Sequence, residues 1–250
     1  MSERLAALHD SVTQLLALSH SLDDAALSTP AYPSEWTVGD VFSHIGSGAT
    51  IFTHLFDDVV HERDRVDGVH QLIWDEWNAK HQSAQMADAL AADARLLERF
   101  DTLDDERRRT FHLSFGPLEL DFDGAVGLRL NEHALHTWDI EVTFNPAATV
   151  PARVAEQVLD NLRAVTRFGA KPDGEARTIH VRTSDPERDL VLEIGADAVD
   201  LLAGGVSDPD LELPAEAFVR LVYGRLDPEH TPDGVDTDTV ASLRKIFPGL

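Results

Sequence analysis

The stretch that most constrains this chain is Arg129-Leu130-Asn131-Glu132-His133-Ala134-Leu135-His136-Thr137-Trp138-Asp139-Ile140. Five ionisable side chains stand there among apolar residues at helical spacing. Residues four apart share a helix face, so Glu132 and His136 point the same way, and Asp139 lies one turn beyond His136. Leu128, Leu135 and Val142 recur every seven residues with Trp138 between them, which predicts a helix buried along that side. Ionisable groups beside a buried stripe are costly unless paired or metal-bound. A metal held by Glu132 and His136 would remove that cost; a plain hydrogen-bonded pair is the alternative. The order differs from the His-Glu-x-x-His of zinc proteases. His133 sits about 100° around the helix from Glu132 and reads as a neighbour or core histidine, so a third ligand must come from elsewhere.

Composition narrows the chemistry. The 250 residues allow one large or two small domains, and 43% hydrophobic content supports a core. A net charge of −24 repels phosphate backbones, so nucleic acid is not expected as a partner. There is no long apolar run and no basic start followed by an apolar block, so a soluble, cytoplasmic protein without membrane attachment is expected. Cysteine is absent, which removes thiolate metal ligands and any internal thiol nucleophile. A metal here needs His, Asp and Glu, and thiol chemistry needs a thiol from outside.

The first half reads as helical. Residues 4–21 carry Leu5, Leu8, Val12, Leu15, Leu16 and Leu18 in an amphipathic pattern, followed by a loop through Thr29-Pro30-Ala31-Tyr32-Pro33. Trp36-Thr37-Val38-Gly39-Asp40-Val41 predicts a helix start, with Thr37 and Asp40 as a capping box and Trp36 and Val41 as a hydrophobic staple. That helix should run to about Glu62, with Val38, Phe42, Ile45, Ala49, Phe52 and Phe56 as its main stripe and His44 also facing inward. Gly46 and Gly48 would allow close approach of another group. Residues 69–109 read as a third helical region with Trp74 and Trp77 in the core and Asn78 able to line a pocket. Asp104-Asp105-Glu106 followed by Arg107-Arg108-Arg109 reads as its solvated end. Gly116-Pro117 breaks the chain, Asp121 or Asp123 caps the fourth helix, and that helix ends before Pro146. Four helices suit a bundle, and three ligands from two of its helices suit His44, Glu132 and His136.

From Pro151 the pattern changes. A helix over 151–168 is followed by a Lys171-Pro172-Asp173-Gly174 turn and by strands at 178–183, 190–194 and 199–202. Helices over 214–223 and about 236–246 complete it. The expected architecture is α+β overall: an all-α four-helix bundle over residues 1–148, then a small α/β domain over 149–250.

These pieces resemble a known family. Trp36-Thr37-Val38-Gly39-Asp40-Val41-Phe42-Ser43-His44 is similar to the Trp-Thr…His signature of the DinB-like metal-binding four-helix bundles. The Arg129–Ile140 stretch resembles the mycothiol-dependent maleylpyruvate isomerase branch, where Glu-x-x-x-His and a following aspartate replace His-x-x-x-His. Ala217-Phe218-Val219-Arg220-Leu221-Val222-Tyr223-Gly224-Arg225 resembles the ending of that branch's sterol-carrier-like C-terminal domain. The resemblance implies that His44, Glu132 and His136 bind one divalent metal, with zinc the first expectation, leaving an open position as catalytic sites do. It implies Asp139 and Arg225 as catalytic-site residues, the first orienting His136 or a metal-bound water, the second gripping a substrate carboxylate. Asn78 and Arg129 are the candidate cofactor contacts. The implied cosubstrate is mycothiol, a low-molecular-weight thiol, acting on a small electrophile in a monomer or weak homodimer. The implied reaction is cis-trans isomerisation of a maleylpyruvate-like diacid or thiol S-transfer. A metal-dependent hydrolase, which would need no thiol, and a non-catalytic binder of metal and a small ligand are the rival classes.

Overall fold

The computed structural model describes residues 2–33, 35–116, 118–205 and 207–249. It divides into two compact units, Met1–Ala148 and Thr149–Leu250.

The first unit is helical. Its long helices are α1 (Glu3–Ser19), α3 (Val38–Val60), α5 (Gln82–Thr102) and α7 (Phe122–Phe144). Helix α1 packs on α5 and α7, and α3 packs on the same two, which closes a ring of four. The capping box predicted at the start of α3 is present. Thr37 accepts from the Asp40 backbone N–H, and the Thr37 N–H donates to the Asp40 carboxylate at 2.8 Å. Val38, Phe42, Ile45, Ala49, Phe52 and Phe56 are all buried; each large side chain removed from water in this way contributes about 1.5–3 kcal/mol. Asp121 caps α7 by accepting from the Gly124 N–H at 2.7 Å.

Several expectations need correction. The loop after α1 contains a four-residue helix, α2 (Asp24–Leu27), capped by Asp23. Residues 69–109 are three helices, α4 (Val69–Asn78), α5 and α6 (Asp105–Thr110). Extended backbone at His81 and at Leu103 and Asp104 makes the two breaks, and His81 and Asp104 cap the helices that follow. Trp77 is buried as expected, but Trp74 is 43% exposed and belongs to no core. Before α7 the chain forms a hairpin of β1 (Leu113–Phe115) and β2 (Leu118–Leu120), antiparallel with Leu113 opposite Leu120. Pro117 of the expected break lies outside the described residues. The apolar side expected on α7 is too narrow, because every residue from His133 to Ile140 is buried, polar ones included.

The second unit carries a four-stranded sheet in the order β5-β4-β3-β6, from β3 (Arg177–Ser184), β4 (Arg188–Ile194), β5 (Val199–Ala203) and β6 (Leu211–Pro214). The first three are antiparallel neighbours; β6, which the alternation did not reveal, runs parallel to β3. The helix expected over 151–168 is two, α8 (Ala152–Leu159) and α9 (Leu162–Gly169), parted at Asp160-Asn161, residues whose side chains compete for backbone hydrogen bonds. Helix α10 (Ala215–Val222) is buried at every position, and α11 (Thr237–Ile246) packs on it.

Candidate metal centre

The donor atoms of His44 on α3 and of Glu132 and His136 on α7 lie within 4.8 Å of one another, the one such group of three among the described residues. His44 Nε2 is 3.4 Å and His136 Nε2 3.8 Å from Glu132 Oε2. The two imidazoles meet edge to face with centroids 4.4 Å apart. His44 faces α7 as expected, yet its side chain keeps 37% of its surface exposed, as does that of Glu132, so the site is open on one side.

Asp139 is wholly buried, and its Oδ2 lies 2.8 Å from His136 Nδ1. A carboxylate only accepts, so the proton sits on Nδ1 and the Nε2 lone pair is left for a ligand role. The chemistry of the donor set fits a divalent ion: two imidazoles and one carboxylate oxygen, the set that suits zinc and other borderline ions.

Trp36 was read as half of a hydrophobic staple. Its ring stands against both histidines, with centroids 5.1 Å from His44 and 5.8 Å from His136, nearly parallel to the latter. Nothing in local spacing signals this, because the contact joins the entry to α3 with the middle of α7.

Behind these residues lies a buried charged cluster. Asp93 on α5 receives Arg129 Nη2 at 2.7 Å and His133 Nε2 at 3.2 Å, and Ser11 Oγ on α1 is 2.8 Å from His133 Nδ1. His133 is thus the core histidine that its angle on the helix suggested. Burial alone would raise the Asp93 pKa; the charges of His133 and Arg129 and their hydrogen bonds outweigh it and hold the carboxyl below its ordinary value. Asp93 went unnoticed in the sequence, although it stands on the Ala89, Ala92, Leu96, Phe100 stripe of its helix, where a lone acid needs a partner.

The other sequence candidates fall elsewhere. Asn78 is exposed at the end of α4, and its side-chain oxygen accepts from Ser43 Oγ at 3.0 Å, next to His44 in sequence. Arg129 is buried, engaged by Asp93 and by the Ile45 carbonyl at 2.9 Å. Arg225 belongs to the second unit, where Nη1 donates to the Tyr223 carbonyl at 2.9 Å. Its segment is held by a bidentate pair between Glu216 and Arg220 at 2.7 and 2.9 Å, with Arg220 also donating to the His230 carbonyl. Gly224 has a positive φ of 72°, and a Cβ there would lie 2.5 Å from Gly249 Cα, so the turn before Arg225 requires glycine.

Among the described residues no helix is long and apolar enough to cross a membrane. No curated protein matches the chain. Among solved structures, it matches the crystal structure of the mycothiol-dependent maleylpyruvate isomerase with a TM-score of 0.67 and 15% identity, over 95% of this chain and 92% of that one. A mutant of that isomerase matches with the same values. At that identity the likeness establishes the fold, a helical part followed by a small sheet domain. The model of the mycothiol maleylpyruvate isomerase N-terminal domain matches residues 8–141, more than half of the sequence, and the chain therefore belongs to the mycothiol maleylpyruvate isomerase family.

Proposed function

We propose that this protein is a divalent-metal-dependent enzyme that uses mycothiol as its nucleophile, acting as a cis-trans isomerase of maleylpyruvate-like diacids. The observation that supports it is the gathering of His44, Glu132 and His136 donor atoms within 4.8 Å at an open site. Family membership supports the thiol and the class of reaction.

A divalent ion held by His44, Glu132 and His136 would lower the pKa of a thiol brought to it, which would supply a nucleophilic sulfur near neutral pH. The chain's own contribution is to hold and orient. His44, Glu132 and His136 offer three ligands and leave a position open to a fourth group. Asp139 keeps His136 in the tautomer that presents Nε2. Trp36 stands against both imidazoles, stacked on His136 and tilted against His44. The chain has no cysteine, so no internal thiol competes for the open position. Arg225 is the proposed partner of a substrate carboxylate, a role that its planar, bidentate guanidinium suits. Thiol S-transfer shares the first bond-forming step and differs in the electrophile; it would not need Arg225.

The test is metal analysis of the purified protein, then calorimetric titration with mycothiol on wild type and Glu132→Ala. One bound metal, with thiol binding that Glu132→Ala loses, is expected. A protein that holds metal but takes up no thiol would overturn this reading in favour of a hydrolase or a binder.

A further inference from the structure

We infer that Arg129 is a positioning residue for the metal centre: it fixes α3, which carries His44, against α7, which carries Glu132 and His136. The inference rests on reading those three residues as a metal site.

One atom makes the link. Arg129 Nη2 donates to Asp93 Oδ1 at 2.7 Å and to the Ile45 carbonyl at 2.9 Å. Ile45 directly follows His44, and Arg129 precedes Glu132 by three residues, less than one turn. A carbonyl in the middle of a helix already serves the N–H four residues on, so α3 does not need this donor for its own integrity. The bond instead ties α3 to its neighbours one peptide from a candidate ligand. Helix α3 is also shaped to receive it. A Cβ on Gly48 would lie 2.9 Å from Arg129 Nη1, closer than side-chain carbons approach such an atom. The missing side chain makes the space in which the guanidinium lies.

The far side is anchored as well. Asp93 also takes His133 Nε2, and His133 meets Ser11 on α1. Arg129 and His133 therefore fasten one flank of α7 to α1, α3 and α5, while Glu132 and His136 on the adjacent flank stand with His44. The Arg129 side chain is 3% exposed, so in this proposal it acts through the helices it joins. Metal–ligand distances tolerate only about ±0.2 Å, so a small slip of α3 past α7 is enough to spoil the set.

The experiment measures zinc affinity by competition with a chromophoric chelator for wild type, Arg129→Lys and Gly48→Ala, with the far-UV helical signal and thermal midpoint of each. Lysine keeps the charge but ends one bond short of Nη2. Gly48→Ala displaces the guanidinium without altering its charge, and the helical signal and thermal midpoint of the variant separate a loss of affinity in the folded protein from a loss of stability. Both variants should bind zinc about tenfold or more weakly, in the range seen when groups that support metal ligands are removed, with the helical signal kept. Gly48→Ala binding within twofold of wild type would overturn the inference, as would a loss confined to Gly48→Ala while a folded Arg129→Lys binds normally. If Arg129→Lys does not fold, Gly48→Ala alone decides. Wild type that binds no zinc would instead overturn the metal-site reading, and the inference with it.

Discussion

Asp139 Oδ2 and His136 Nδ1 are 2.8 Å apart within a single turn of α7, the acid wholly buried and the histidine turning its other nitrogen toward Glu132 at 3.8 Å. The pair sets which imidazole nitrogen is free for a ligand role, and does so before any ion arrives. Asp139→Asn keeps the shape and removes the charge that fixes the tautomer. It is expected to weaken zinc binding about 10- to 100-fold, measured by competition titration, although all three donors remain. Unchanged affinity would reduce the pair to a structural contact.

Trp36 offers an optical readout of the same site. Its ring lies within 6 Å of both His44 and His136, so an ion with partly filled d orbitals bound there should quench its emission. Titration with cobalt(II) should give saturable quenching at one equivalent. Trp36→Phe should remove most of that amplitude while sparing the emission of Trp74, which is exposed on α4. Quenching as strong in Trp36→Phe as in wild type would place the ion elsewhere.

How far the sequence carried differs between local and long-range features. Thr37 with Asp40, the Asp121 cap, and the successive steps Glu132 to His136 and His136 to Asp139 each span about one turn of helix, and helical geometry alone brings such residues together. His44 taken alone reads as a core histidine; it becomes a candidate ligand only beside Glu132 and His136, because three ligands from two helices suit a bundle, and the Trp-Thr…His resemblance points to it as well. Trp36 against His136, Asp93 against Arg129, and the parallel pairing of β6 with β3 join residues far apart in the chain, and no local period encodes them. The breaks within 69–109 and 151–168 escaped notice because neither contains proline or glycine at the break; polar residues with weak helix propensity end these helices instead.

Gly46 makes a separate packing claim. A Cβ there would lie 2.2 Å from the Trp77 ring and 2.9 Å from Ala89 Cα, a backbone atom that cannot rotate away. Gly46→Ala gains up to about 1 kcal/mol of helix propensity. It also forces α3 away from α4 and α5, and overpacking of a tight core costs about 1–3 kcal/mol or more. The second effect should win, with the thermal midpoint lowered by several degrees at about 2–4 °C per kcal/mol. A rise in the midpoint would show that the ring yields without strain.

The buried cluster around Asp93 carries a pH signature. Its carboxyl titrates below the ordinary value of 3.8 in the folded protein, because His133 and Arg129 outweigh the burial that would raise it. A group whose pKa is lower when folded stabilises the protein above its unfolded pKa and loses that contribution as pH falls through the folded one. At neutral pH, Asp93→Asn should be destabilised by about 3–5 kcal/mol, because it leaves the Arg129 charge buried without its counterion. Acidification should then remove from wild type what the variant already lacks. The stability gap between the two, measured by urea unfolding at steps from pH 7 downward, should stay constant to about pH 4 and narrow below it. Taking the difference matters in a chain of net charge −24, whose other carboxylates protonate over the same range in both proteins. A gap that stays constant well below pH 4 would mean that Asp93 is not the charged partner of Arg129 and His133.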